Sequence, residues 1–180
     1  MPTFRPTFDP YPYMNRLLLV IVCSFAALFA GCSRKAKEIS ESAKAEAATF
    51  ANEAQFAMTI REFSRAEELF QRAVKIHEDK PEYWVALGMA RRKQENKDGA
   101  RKAYKEALSI HVARYKEEKK PEELAQQAFV TALLGKTDDA LKLLEKGLQD
   151  HPDSALLKKM ADPRGLPRTF KSEDFKNLSV

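Results

Sequence analysis

Cysteine is almost missing from this chain: of 180 residues only Cys23 and Cys32 are cysteines, and both lie near the front. The long remainder therefore has no disulfide framework, no thiolate metal site and no Cys/His dyad. Glycine is scarce, at six, and none builds a phosphate-cradling loop or a Gly-x-Ser-x-Gly nucleophile turn. The one sustained apolar run, Leu17–Ala30, falls short of the roughly 18 apolar residues that mark a spanning helix. Charge of one sign is not concentrated either. Lysine and arginine number 31 against 26 acids, a net +5 with the signs intermixed, so no nucleic-acid partner is expected. His77, His111 and His151 recur at equivalent places in a repeating pattern. Such places lie on the order of 10 Å apart in packed helices, whereas metal ligands converge to about 2 Å from one ion. The expectation is no metal and no cofactor, with the histidines near the negative end of a helix dipole, though the extension after His111 breaks its equivalence with the other two. Neighbouring acids such as Glu67/Glu68, Glu122/Glu123 and Asp138/Asp139 belong on solvated helix faces. No catalytic residue stands out, and the chain does not read as an enzyme.

What is present begins with an ordered front. Arg16 precedes LLLVIVCSFAALFA, which ends in Ala30-Gly31-Cys32 and is followed by Arg34, Lys35 and Lys37. A basic start, a short apolar stretch and a small-residue end are the marks of a secretory signal peptide. The end resembles the lipobox of bacterial lipoproteins. That resemblance implies cleavage after residue 31 and lipidation of Cys32, with palmitate-type chains that together anchor stably where one would not. Residues 1–13 hold four prolines and an acid, unlike a signal-peptide start, so Met14 is the expected initiator. Ser33, where many inner-membrane lipoproteins have Asp, implies by the same resemblance the periplasmic face of the outer membrane. Residues 32–46 are polar and alanine-rich with no apolar stripe, and read as a lipidated tether or a loosely packed first helix.

Behind this front the chain repeats. Trp84, Leu87 and Gly88 share one helical face; Ala100, Tyr104 and Ala107 share another, across the polar linker KQENKDG. The same slots return as Phe50, Ala54, Ala66, Phe70 and Ala73 upstream. Downstream they are Leu124, Ala128, Ala140, Leu144, Gly147 and Pro152. The pattern resembles the tetratricopeptide repeat, a helix-turn-helix unit of about 34 residues. The resemblance implies an all-α fold: a short right-handed superhelical solenoid of about three hairpins (47–80, 81–120, 121–154), closed by a capping helix and irregular tail at 155–180. Trp84, Gly88, Ala100, Tyr104, Ala140 and Pro152 are its structural positions. Arg91 stands where the family has an aromatic, and Gln127 where it has Leu. The middle unit is long by the stretch ARYKEEKK, which predicts an extended, protruding helix. In the tail, Pro163, Gly165 and Pro167 break one helix, and Ser172 can cap another up to Leu178. That tail is either a plain cap or a strip laid into the chain's own groove.

In this family the first helix of each unit lines the concave face, where peptides or partner helices bind. By that resemblance Ala51, Gln55 and Met58 line it, then Val85, Met89, Arg92 and Lys93, then Ala125, Phe129 and Ala132. Met58, Met89 and Phe129 form an adaptable apolar strip, with Arg92 and Lys93 as a basic edge for an acidic group. Ala51 and Gln55 stand where the tail-clamping members have clamp residues, so terminal-carboxylate capture is not implied. The expected protein is a membrane-anchored scaffold: an adaptor or assembly factor for an unidentified protein or peptide of the bacterial envelope. The alternative is a cell-wall- or lipid-binding accessory that works through a basic surface.

Overall fold

The computed structural model describes residues 39–180; the apolar run, Cys32 and the start of the tether lie outside them. Several of the helices open on a side-chain cap or a proline. Ser40 Oγ accepts from the Ala43 amide (3.2 Å) and opens α1 (Glu41–Thr59). The alanine-rich residues from 41 onward, expected as tether or loose helix, are thus helical, and Ala47 is fully buried. After α2 (Phe63–Ile76), Pro81 occupies the first turn of α3 (Pro81–Lys93), where its missing N–H costs nothing. Asn96 caps α4 (Lys97–Glu118) by accepting from the Gly99 amide (2.9 Å). Pro121 opens α5 (Pro121–Leu133), and α6 (Thr137–Asp150) follows. Three short helices end the chain: α7 (Ala155–Ala161), α8 (Leu166–Lys171) and α9 (Glu173–Lys176). No described helix is long and apolar enough to cross a membrane.

The turn inside each hairpin has one solution used three times. Arg61, Glu95 and Gly135 all take a left-handed backbone (φ 63, 62 and 79). Each follows a helix C-cap, and the amide after it bonds back to the helix: Glu62 to Ala57, Asn96 to Arg91 and Lys136 to Thr131. This is a Schellman closure, which satisfies carbonyls that the helix end leaves open. Only the third turn places glycine where a Cβ is disfavoured.

α1 pairs with α2, α3 with α4 and α5 with α6; the pairs stack through α2 on α3 and α4 on α5. The chain is therefore an all-α stack of helical hairpins with added C-terminal helices. Close approach within the middle pair depends on Gly88, where an added Cβ would overlap the fully buried Tyr104 ring. Ala100 and Ala140 are fully buried at the matching place on α4 and α6. Trp84 packs against both core clusters and donates its indole N–H to the Glu78 carbonyl (2.7 Å). Pro152 sits exposed in the turn after α6, beyond its C-cap His151. Gly147 lets Leu157 of α7 come close, so α7 seals the end of the third hairpin.

Both departures from the family pattern acquire partners. Arg91 reaches from α3 to Glu67 on α2 (2.8 Å) and to the Gly99 carbonyl (3.2 Å). Gln94 donates to the other Glu67 oxygen (2.8 Å), and Gln71 to the first (2.9 Å). Burial pushes the Glu67 carboxyl up, but Arg91, Gln94 and Gln71 together outweigh it and hold it below its ordinary range. Gln127, buried, donates to the His111 carbonyl (3.2 Å).

α4 is lengthened as expected, yet its extra turns do not protrude freely. Arg114 donates to the Asp79 carbonyl on one side. On the other, the Tyr115 hydroxyl meets His151 Nε2 (3.2 Å) and Asp150 (3.4 Å). The histidines separate in the same place, as the extension after His111 implied. His77 and His151 are the C-caps of α2 and α6, but His111 lies within α4, buried against Glu123 of α5 (2.6 Å). Among the described residues no group of three or more His, Cys, Asp or Glu could hold a metal ion.

Two predictions follow from the turns and the Arg91 bracket. Glu95→Gly removes a left-handed side chain and should raise stability by about 1 kcal/mol in urea denaturation; an unchanged or lower midpoint contradicts the turn assignment. Glu67→Gln should cost about 1–3 kcal/mol near neutral pH by leaving Arg91 without its charged partner. Because the folded pKa of Glu67 is depressed, its contribution is present above the ordinary value of 4.5 and is lost as pH falls through the folded value. The stability gap between wild type and variant should therefore close on acidification. A gap independent of pH would show that the carboxylate charge is not what Arg91 uses.

Candidate functional site

The face shared by α3 and α5 carries most of the residues expected in the groove, and it is occupied. The last segment of the chain lies on it. The Tyr104 hydroxyl donates to the Leu178 carbonyl (2.7 Å), and Arg92 Nε to the Ser179 carbonyl (2.6 Å). The Val180 amide donates to the Leu133 carbonyl (3.0 Å), one of the carbonyls left open at the end of α5. Beside these main-chain bonds Phe175 packs edge-on to Phe129 (centroids 5.8 Å apart) and against Phe170 (5.0 Å). Phe170 and Phe175 are only 3% and 5% exposed, and burying each stabilises by about 1.5–3 kcal/mol. Val85, Met89, Leu178 and Val180 pack against the same cluster. Of the two roles considered for the tail, the strip in the groove describes its last residues, while α7 is the cap.

Local structure explains the placement. Ser172 Oγ caps α9 by accepting from the Phe175 amide (3.3 Å), which turns Phe175 inward and leaves Lys171 to Asp174 in solvent. α9 ends after one turn, so Leu178 to Val180 run on with main-chain groups available to the hairpins. At Gly135 an added Cβ would press on the Val180 carbonyl, so the turn glycine also makes room for the tail. Burial pushes the Tyr104 phenol far above its usual range, only partly opposed by the charge of Arg92, so it remains a neutral donor.

Met89, Arg92 and Phe129 are thus brought together. Arg92, expected to meet an acidic group, instead donates to a main-chain carbonyl. Lys93 is exposed at the end of α3. Gln55 and Met58 stand apart on α1, Gln55 exposed and Met58 packed against the cluster of the first two hairpins. Close by on the same helix, Phe56 and Ile60 are 63% and 46% exposed. Sequence reasoning missed the tail residues Phe170, Phe175 and Val180, and the second role of Tyr104. The available signal was apolar residues recurring at Phe170, Phe175, Leu178 and Val180 in an otherwise charged tail.

The tetratricopeptide-repeat family model matches residues 51–115, from within α1 through most of α4, so that stretch is a tetratricopeptide-repeat region. No curated protein matches the chain. Proteins built of such repeats are typically non-catalytic scaffolds.

Tyr104→Phe keeps the ring over Gly88 and deletes only the bond to Leu178. It should cost about 1 kcal/mol in chemical denaturation. A cost above about 3 kcal/mol, the cavity scale for a core aromatic, would show that the ring packing itself had been disturbed.

Proposed function

We propose that the chain is a lipid-anchored adaptor that selects a protein partner at the face of α3 and α5. One observation carries this reading: that face already receives a peptide segment, a short helical turn and the residues after it, through main-chain hydrogen bonds and an aromatic contact. A surface that holds one peptide segment has the geometry to hold another. Met89, Arg92 and Phe129 form its centre and Lys93 its basic edge, while Gln55 and Met58, which stand apart on α1, would add a separate contact for a longer partner. In this reading residues 1–31 are a signal peptide, 32–46 carry the lipid on Cys32, 47–154 are three repeats and 155–180 close the stack. The protein sits in the bacterial envelope, on the periplasmic face of the outer membrane, and its partner is an envelope protein or peptide.

The alternative, a wall- or lipid-binding accessory, relies on free basic groups. At the end of α4, where the charge run suggested such a surface, Lys119 lies over the Tyr115 ring and Lys120 is paired with Glu118. That leaves the alternative the weaker reading.

Cross-linked affinity purification from native envelopes tests the proposal. A protein partner should be recovered with wild type and lost with a folded Met89→Glu/Arg92→Glu variant, and the recovery should survive high salt, since surface charge contacts fade with ionic strength. Cys32→Ala should move the protein from the membrane to the soluble fraction. Equal recovery in wild type and variant, or salt-labile recovery of wall or lipid fragments alone, would transfer the function to the basic surface.

A further inference from the structure

We infer that the segment Phe170–Val180 is a displaceable internal ligand of the groove, and that it defines the class of partner the groove accepts. The inference rests on the adaptor reading and adds its specificity and its control. The three polar contacts all use main-chain groups of the tail: the Leu178 and Ser179 carbonyls and the Val180 amide. Any peptide offers those groups, so they hold a segment without choosing among sequences. Choice lies with the side chains, an aromatic at Phe175 against Phe129 and aliphatics three and five positions on at Leu178 and Val180. The partner is therefore a peptide segment with an aromatic followed by aliphatics at those spacings, seated as a short helical turn like the one that holds Phe175.

The same anatomy makes the tail removable. α8 and α9 have six and four residues, too short to persist as isolated helices. They are joined to the stack through the Asp162-Pro163-Arg164-Gly165 turn, and their outer faces at Lys171 to Asp174, Lys176 and Asn177 are in solvent. The hairpins, in contrast, are long helices paired along their length, and α5 (13 residues) keeps its own i to i+4 backbone bonds, although Val130 and Leu133 share one buried cluster with Phe170 and Phe175. Opening the tail exposes Phe129, Met89 and the donors on Arg92 and Tyr104 as a ready site. A trans segment must then compete with a tethered one, which sets a threshold for binding.

Two measurements on the full chain in detergent test this. In native-state hydrogen exchange the Val180 amide should exchange at least tenfold faster than that of Val130, through an opening that leaves α5 protected. A fluorescein-labelled synthetic peptide of residues 169–180 should bind a Leu178→Asp/Val180→Asp variant at least tenfold more tightly than wild type. The same peptide carrying Phe175→Ala should lose that gain. Exchange of Val180 and Val130 at one common rate, or equal peptide affinity for both proteins, would overturn the inference. So would a dimer by sedimentation whose tails are exchanged between copies. If the variant does not fold, the exchange comparison on wild type decides alone. An envelope partner that depends on Met89 and Arg92 while the tail stays closed would sink this inference and spare the adaptor reading. Peptide binding without such a partner would do the reverse.

Discussion

The contact of the Tyr104 ring with the bare backbone of Gly88 sets the geometry on which the rest depends. A ring laid on a glycine brings α3 and α4 together without a cavity, and the fully buried alanines of α4 continue the seam. The same ring carries its hydroxyl through to the opposite side, where it meets the Leu178 carbonyl. One residue thus closes a hairpin and furnishes a donor to the face where the tail lies. Its high proton affinity follows from the burial that closes the hairpin, so packing and hydrogen bonding are one arrangement.

Where the stack substitutes polar groups for apolar ones, it does so at joints. Arg91, Glu67 and Gln94 connect α2 to α3, while His111, Glu123 and Gln127 connect α4 to α5. Apolar surfaces slide with little preference, whereas a bidentate carboxylate or a buried imidazole has one good position. Each joint therefore favours one register of a hairpin on the next. The longer α4 works in the same way, since Arg114 and Tyr115 tie its extra turns to the neighbouring turns on either side.

Location and partner choice are separable in the proposed adaptor. In that proposal a lipid on Cys32 would set only where the chain resides, and the face of α3 and α5 only what it holds. An internal segment on that face means that affinity for a partner is read against a tethered competitor, so weak or ill-matched segments are rejected without any repulsive contact.

The helices and their pairing were legible in the sequence because small and large apolar residues recur at helical spacing: Gly88 and Ala100 must approach something, and Trp84 and Tyr104 must fill something. Met89, Arg92 and Phe129 were placed on one face by the repeat resemblance alone. Their occupant could not be placed, because it is held through main-chain atoms, which every residue carries and no pattern marks; Arg92 and Ser179 are far apart in sequence. The left-handed turns at Arg61 and Glu95 were hidden for a related reason, since no glycine announces them. So too the partners of Arg91 and the tethers of α4 depend on which hairpin stacks on which. Periodicity is local and was determined by the sequence alone. The joints, the turns and the filled groove are meetings of distant segments, and only the tertiary structure decided them.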